Sequence, residues 1–127
     1  MSFGNVPPGM LVGAVEKLLA KMDENVLAGF YERELALMPP EVTRAFAEAL
    51  FGAFRDRGES SEDAAEGAGT TLESIERNEP EALRALLTYA RSNTGLVKEA
   101  TSMFVEARPD LVATLPAGLR DALAERL

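Results

Sequence analysis

The sequence predicts an all-α fold, a small bundle of five to seven helices in one domain spanning residues 1–127. Three observations predict it. Apolar residues recur at helical spacing along most of the chain. Proline, glycine and threonine fall where those stretches begin and end. No stretch shows the two-residue alternation and β-branched richness of a strand. The chain has 127 residues, 46% of them apolar and 27% charged. That is enough to bury one hydrophobic core, and too apolar for disorder along its whole length.

Taken in order, residues 10–22 place Leu11, Val15, Leu18, Leu19 and Met22 on one stripe, behind Pro7-Pro8, which suits a first turn. A second stripe of Val26, Leu27, Phe30, Tyr31, Leu35 and Met38 is nearly in phase with the first, which allows one helix over about 8–38. The poor helix formers Asp23, Asn25 and Gly29 favour a break near Asp23, which can cap a second helix. Pro39-Pro40 ends it. Pro40 then opens the clearest helix, PEVTRAFAEALFGAFRDR. Glu41 complements its N-terminal dipole, Arg55 and Arg57 its C-terminus, and Gly58 takes the position just beyond it. Thr70-Thr71-Leu72-Glu73 is a capping box for a short helix with Leu72 and Ile75. Pro80 opens a helix with Leu83, Leu86, Leu87 and Ala90 inward. Thr94 can cap the next, with Leu96, Val97, Ala100, Met103 and Phe104. Thr114 and Pro116 open a last one with Leu119 and Leu123. The phrase PEVTRAFAEAL resembles the second helix of a HEAT-type repeat, and Pro80 repeats its Pro-Glu-x-x-Arg-Ala opening. That resemblance implies an alternative architecture, a short HEAT-like helical array. The intervening helices do not repeat at a fixed period, so no family is assigned.

Between these helices, residues 59–69 hold no large apolar side chain, and Gly67 and Gly69 interrupt any helix there. Ser60 or Ser61 can cap a short helix there, with Glu62 and Asp63 in its first turn, so the stretch reads as a mobile acidic loop or a frayed helix. The net charge of −8 is concentrated nearby. From Gly58 to Glu81 there are eight acids and one base, Arg77, a sum of −7, which leaves about −1 for the rest.

Composition narrows the chemistry. Cys, His and Trp are absent. A thiolate nucleophile, a cysteine or histidine metal site and an imidazole base are therefore excluded, and no cofactor is expected. Glu62, Asp63 and Glu66 lack the alternation of a calcium loop. The string Gly67-Ala68-Gly69-Thr70-Thr71 lacks the preceding strand and the lysine of a phosphate loop. The basic residues are scattered rather than interleaved with aromatics, which argues against direct nucleic-acid binding. Glu32, Arg33 and Glu34 read as a solvated helix face. The first residues lack the basic start of a signal peptide, and no apolar run is long enough to cross a membrane. The expected location is cytoplasmic.

These exclusions point away from an enzyme and towards a helical interaction or regulatory module, with a protein partner or a second copy of the chain. Its candidate contact residues are Phe51 and the first-helix residues Leu11, Val15 and Leu18. Phe51 lies about 180° from Val42 on the helix opened by Pro40, at roughly 100° per residue. Either that helix is buried on both sides or Phe51 faces a partner. Two alternatives remain: a ligand-binding protein or enzyme with a pocket between helices, and an acidic inhibitor mimicking nucleic-acid charge.

Overall fold

The computed structural model describes residues 6–126. Among them are eight α-helices and two short 3-10 helices. The α-helices are α1 (Pro8–Lys21), α2 (Glu24–Glu34), α3 (Pro40–Asp56), α4 (Ser61–Gly67), α5 (Leu72–Glu76), α6 (Pro80–Arg91), α7 (Leu96–Ala107) and α8 (Ala117–Ala124). The 3-10 turns follow α2 (Leu35–Leu37) and α7 (Pro109–Thr114). The fold is all-α, with one helix more than the upper end of the sequence expectation. The eighth is α4, in the stretch whose two readings are a loop and a frayed helix.

The axis of the bundle is the pair α3 and α7, which have the most extensive helix–helix contact; α1, α2 and α6 also pack against α7. One hydrophobic cluster runs from Leu11 to Leu123. At its centre the Tyr31 and Phe46 rings stack at 4.2 Å, and Phe104 meets Phe46 edge-on at 6.4 Å. The Tyr31 hydroxyl is fully buried and 2.8 Å from Thr101 Oγ1, which donates to the Val97 carbonyl at 2.9 Å. The threonine proton is thus committed, so Tyr31 is the donor of the pair. Burial holds its phenol well above the usual tyrosine range.

The repeated wording at Pro40 and Pro80 carries a repeated pattern of burial. Val42 and Ala82, Phe46 and Leu86, and Ala47 and Leu87 are buried in register, while Arg44 and Arg84 are exposed. Even so, α1 near the start of the chain packs against α8 near its end. A linear array would keep those elements apart, so the architecture is a closed bundle.

Local capping holds at some termini and fails at others. Asp23 caps α2 through the amides of Asn25 and Val26. The α5 cap is Thr71, accepting from the Ser74 amide, one residue later than the capping box would place it. Thr94 does not cap α7. Gly95 takes that position with a φ of +80°, and its amide donates to the Glu24 carboxylate at 2.6 Å. Likewise the Ala117 amide at the start of α8 donates to Glu34. Glu32 pairs with Arg91 of α6 at 2.6 Å. Two of the three residues read as a solvated face therefore tie α2 to its neighbours.

Of the two readings of residues 59–69, the short helix is the one that forms. Ser60 caps α4 through the Asp63 amide, and Ala64 and Ala65 are buried. The anchor comes from α6. Tyr89 stacks on Phe54 at 5.3 Å, and its hydroxyl donates to the Glu59 carboxylate at 2.6 Å. Its ring lies so close to Gly67 that a Cβ there would sit 2.6 Å from Tyr89 Cζ. The glycine that looked like a helix breaker is what lets the tyrosine close over the helix.

Candidate functional site

The feature that best fits a binding role is a groove between α3 and the α4–α5 wall, with a volume of about 290 Å³. Its floor is Ala47 and Phe51 of α3 with Leu72 and Ile75 of α5, and its rim carries Arg44, Glu48, Ser61 and Glu76.

Sequence-local rules build the wall. α3 ends in a Schellman turn, with Gly58 at φ +84°, its amide on the Arg55 carbonyl and the Glu59 amide on the Phe54 carbonyl. The chain thereby reverses into α4. The same pattern closes α4 at Gly69 (φ +83°) and α5 at Asn78 (φ +64°). Asn78 is among the few non-glycine types that tolerate this conformation readily. Side chains then fix the wall to α3 at both ends. Arg55 Nη1 donates to Ser61 Oγ at 3.0 Å. At the other end, Thr43 Oγ1 donates to Asn78 Oδ1 at 2.6 Å.

The structure separates the four candidate residues. Phe51 is only 6% exposed, as a central helix buried on both sides requires, and it contributes the groove floor. Leu11, 4% exposed, lines a different groove of about 460 Å³ between the start of α1 and the second 3-10 turn. Val15 and Leu18 belong to the core at 0% and 6% exposure, because the α1 stripe faces α7 and the last turns of the chain. The proposed apolar face of the first helix is thus spent inside the molecule. Leu72, Glu48 and Glu76 were not recognised as site residues. Glu48 is one turn before Phe51 on α3 itself, whereas Leu72 and Glu76 come to the groove on α5, which packs against α4 and α6.

The α4–α5 side of the groove is acidic, while α3 brings Arg44 and Arg55 to its edge. Glu62, Asp63, Glu66, Glu73 and Glu76 are all exposed on α4 and α5. Arg77, the single base of that segment, lies within ion-pair distance of Glu73 and Glu79. The Glu59 carboxylate is engaged by the Tyr89 hydroxyl, and that bond, with a smaller contribution from burial, holds the Tyr89 phenol above its ordinary range.

A second acidic feature joins α1 to α7. The Glu106 carboxyl is raised above the usual carboxylate range, chiefly by a hydrogen bond with Glu16 and then by burial and the neighbouring charge. Ser102 also donates to Glu16, at 3.3 Å. Both glutamates are on open surface, where water screens them and no cleft orients a substrate. Among the described residues no group of three or more Asp and Glu side chains is arranged to hold a metal ion, and no helix is long and apolar enough to cross a membrane. Comparison with known proteins finds no matching family, no similar curated protein and no similar solved structure.

Proposed function

We propose that this chain is a non-catalytic interaction module that receives a segment of a partner protein in the groove between α3 and α5. The observation that carries the reading is the division of the groove itself: an apolar floor of Ala47, Phe51, Leu72 and Ile75 under a charged rim. Docking surfaces share this plan, with an apolar centre that excludes water and a polar margin that sets orientation. A site for a small ligand instead encloses most of its ligand and aims several polar groups inward. Here Arg44, Glu48 and Glu76 are exposed at the edge. A cysteine-free chain acting in the cytoplasm is consistent with this role.

The test uses two variants of the full chain, Leu72→Arg in the groove and Thr88→Arg on the exposed side of α6. Tagged wild-type protein retains a partner from lysate of the source cells, identified by mass spectrometry. The expected result is loss of that partner with Leu72→Arg and its retention with Thr88→Arg, while circular dichroism shows both variants folded. Equal retention by the two variants overturns the reading.

A further inference from the structure

Resting on the groove as a docking site, we infer that its occupant is a cationic amphipathic helix of a partner protein, seated by one or two bulky apolar side chains with lysine or arginine on its flanks.

Charge sets the first half of this assignment. Glu48 and Glu76 line the groove, and Glu62 follows the lining residue Ser61 on the first turn of α4. Arg44 is the one base among the lining residues. Behind this rim the segment from Gly58 to Glu81 carries −7 in total, eight acids against Arg77. The base is held between Glu73 and Glu79, so it does not neutralise the acids at the groove. The acids of the α4–α5 side outnumber Arg44 and Arg55 on the α3 side, so that side disfavours an anionic segment and pairs a cationic one at its rim.

Backbone geometry sets the second half. Extended peptides dock by adding a strand to an open sheet edge, and the described residues form helices without a strand to serve as template. The floor offers side-chain contacts alone. A ligand that satisfies its own backbone hydrogen bonds and presents apolar side chains on one face is a helix. At about 290 Å³ the groove accommodates one or two large side chains rather than a whole segment, so the rest of the helix lies along the rim, within reach of the acids.

The experiment measures fluorescence anisotropy of labelled peptides with the intact chain. The probe is a short leucine–lysine peptide with leucine at helical spacing. Its controls are the same peptide with glutamate for lysine, and a scramble of identical composition that lacks an apolar face. The expected result is binding of the first peptide only, weakening as salt rises. The combined variant Glu48→Gln, Glu62→Gln, Glu76→Gln should bind roughly tenfold more weakly, the sum of three solvent-screened ion pairs. Its melting temperature reports whether it is folded, and Leu72→Arg provides an independent block of the floor. Equal binding of the scramble shows charge attraction without docking and overturns the inference, as does binding of the glutamate peptide or of no peptide. If the lysate partner is still lost with Leu72→Arg in those cases, the groove remains a docking site and only its occupant was misassigned.

Discussion

α3 and α4 follow one another in the chain and pack together, yet they are held by opposite means. α3 spans 17 residues and buries ten of its own, among them Val42, Phe46, Leu50, Phe51 and Phe54. α4 spans seven and buries two alanines. The first helix supplies the apolar surface that holds it. The second borrows surface: Tyr89 and Phe54 cover it, Gly67 makes room for the tyrosine, and Glu59 fixes the phenol from the preceding turn. A helix without large apolar side chains is therefore still packed structure when its neighbours bring them. For the same reason α4 can leave Glu62, Asp63 and Glu66 exposed while standing as a fixed wall of the groove.

The largest effect that separates the two is truncation. Phe46→Ala on α3 removes a ring packed between Tyr31 and Phe104 and should cost about 3–5 kcal/mol. Ala64→Gly on α4 removes a single methyl, frees the backbone and should cost only about 1 kcal/mol. Chemical denaturation reads both. A Phe46→Ala loss no greater than that of Ala64→Gly would show that α3 is not the helix around which the core is organised.

A sharper probe is one substitution at two glycines. Gly13 lies inside α1 with open space where a Cβ would sit. There Gly13→Ala should stabilise by about 0.5–1 kcal/mol through helix propensity. Gly67→Ala gains the same propensity but drives a methyl into Tyr89, an overpacking that costs roughly 1–3 kcal/mol. Thermal melts should therefore move in opposite directions. If both rise, Tyr89 does not clamp α4 and the wall is looser than described.

The smallest effect concerns two exposed acids, Glu16 and Glu106, that meet at the surface. Because Glu106 is raised by its bond to Glu16, the folded protein favours its protonated form. The stability this lends is fully present below the ordinary glutamate range and is lost as pH rises through the higher folded value. Glu106→Gln keeps the neutral form at every pH. It should match wild type in acid and exceed it near neutrality by a few tenths of a kcal/mol, since both groups are exposed and screened. Melts at several pH values measure this. A variant less stable than wild type at neutral pH would show that the pair is held by something other than a shared proton.

Residues close in sequence explain which expectations held. The break at Asp23, the starts at Pro8, Pro40 and Pro80 and the turn at Gly58 depend on φ restrictions and on caps two or three residues away, so the sequence displays them directly. The sequence leaves Phe51 open, since a position about 180° from Val42 is covered only if the helix is central, and its burial at 6% exposure follows from that central place. Glu24 and Glu34 are different. Each caps the start of a helix 71 or 83 residues further on, and no local pattern marks an acid for that use. The same holds for Tyr89, 30 residues from Glu59, and for Leu72, whose place beside Phe51 depends on how α5 settles against α4 and α6.

Periodicity, proline and glycine act through the nearest few residues, so the helical class and most helix boundaries are written in the chain, as is the concentration of charge between Gly58 and Glu81. Three features come from packing instead: residues 61–67 form a packed helix rather than a loop or a frayed one, the α1 stripe is core rather than contact surface, and an apolar groove opens beside the acids. Those outcomes depend on which distant side chains meet, and packing surfaces from opposite ends of the chain choose one another only when the whole bundle closes.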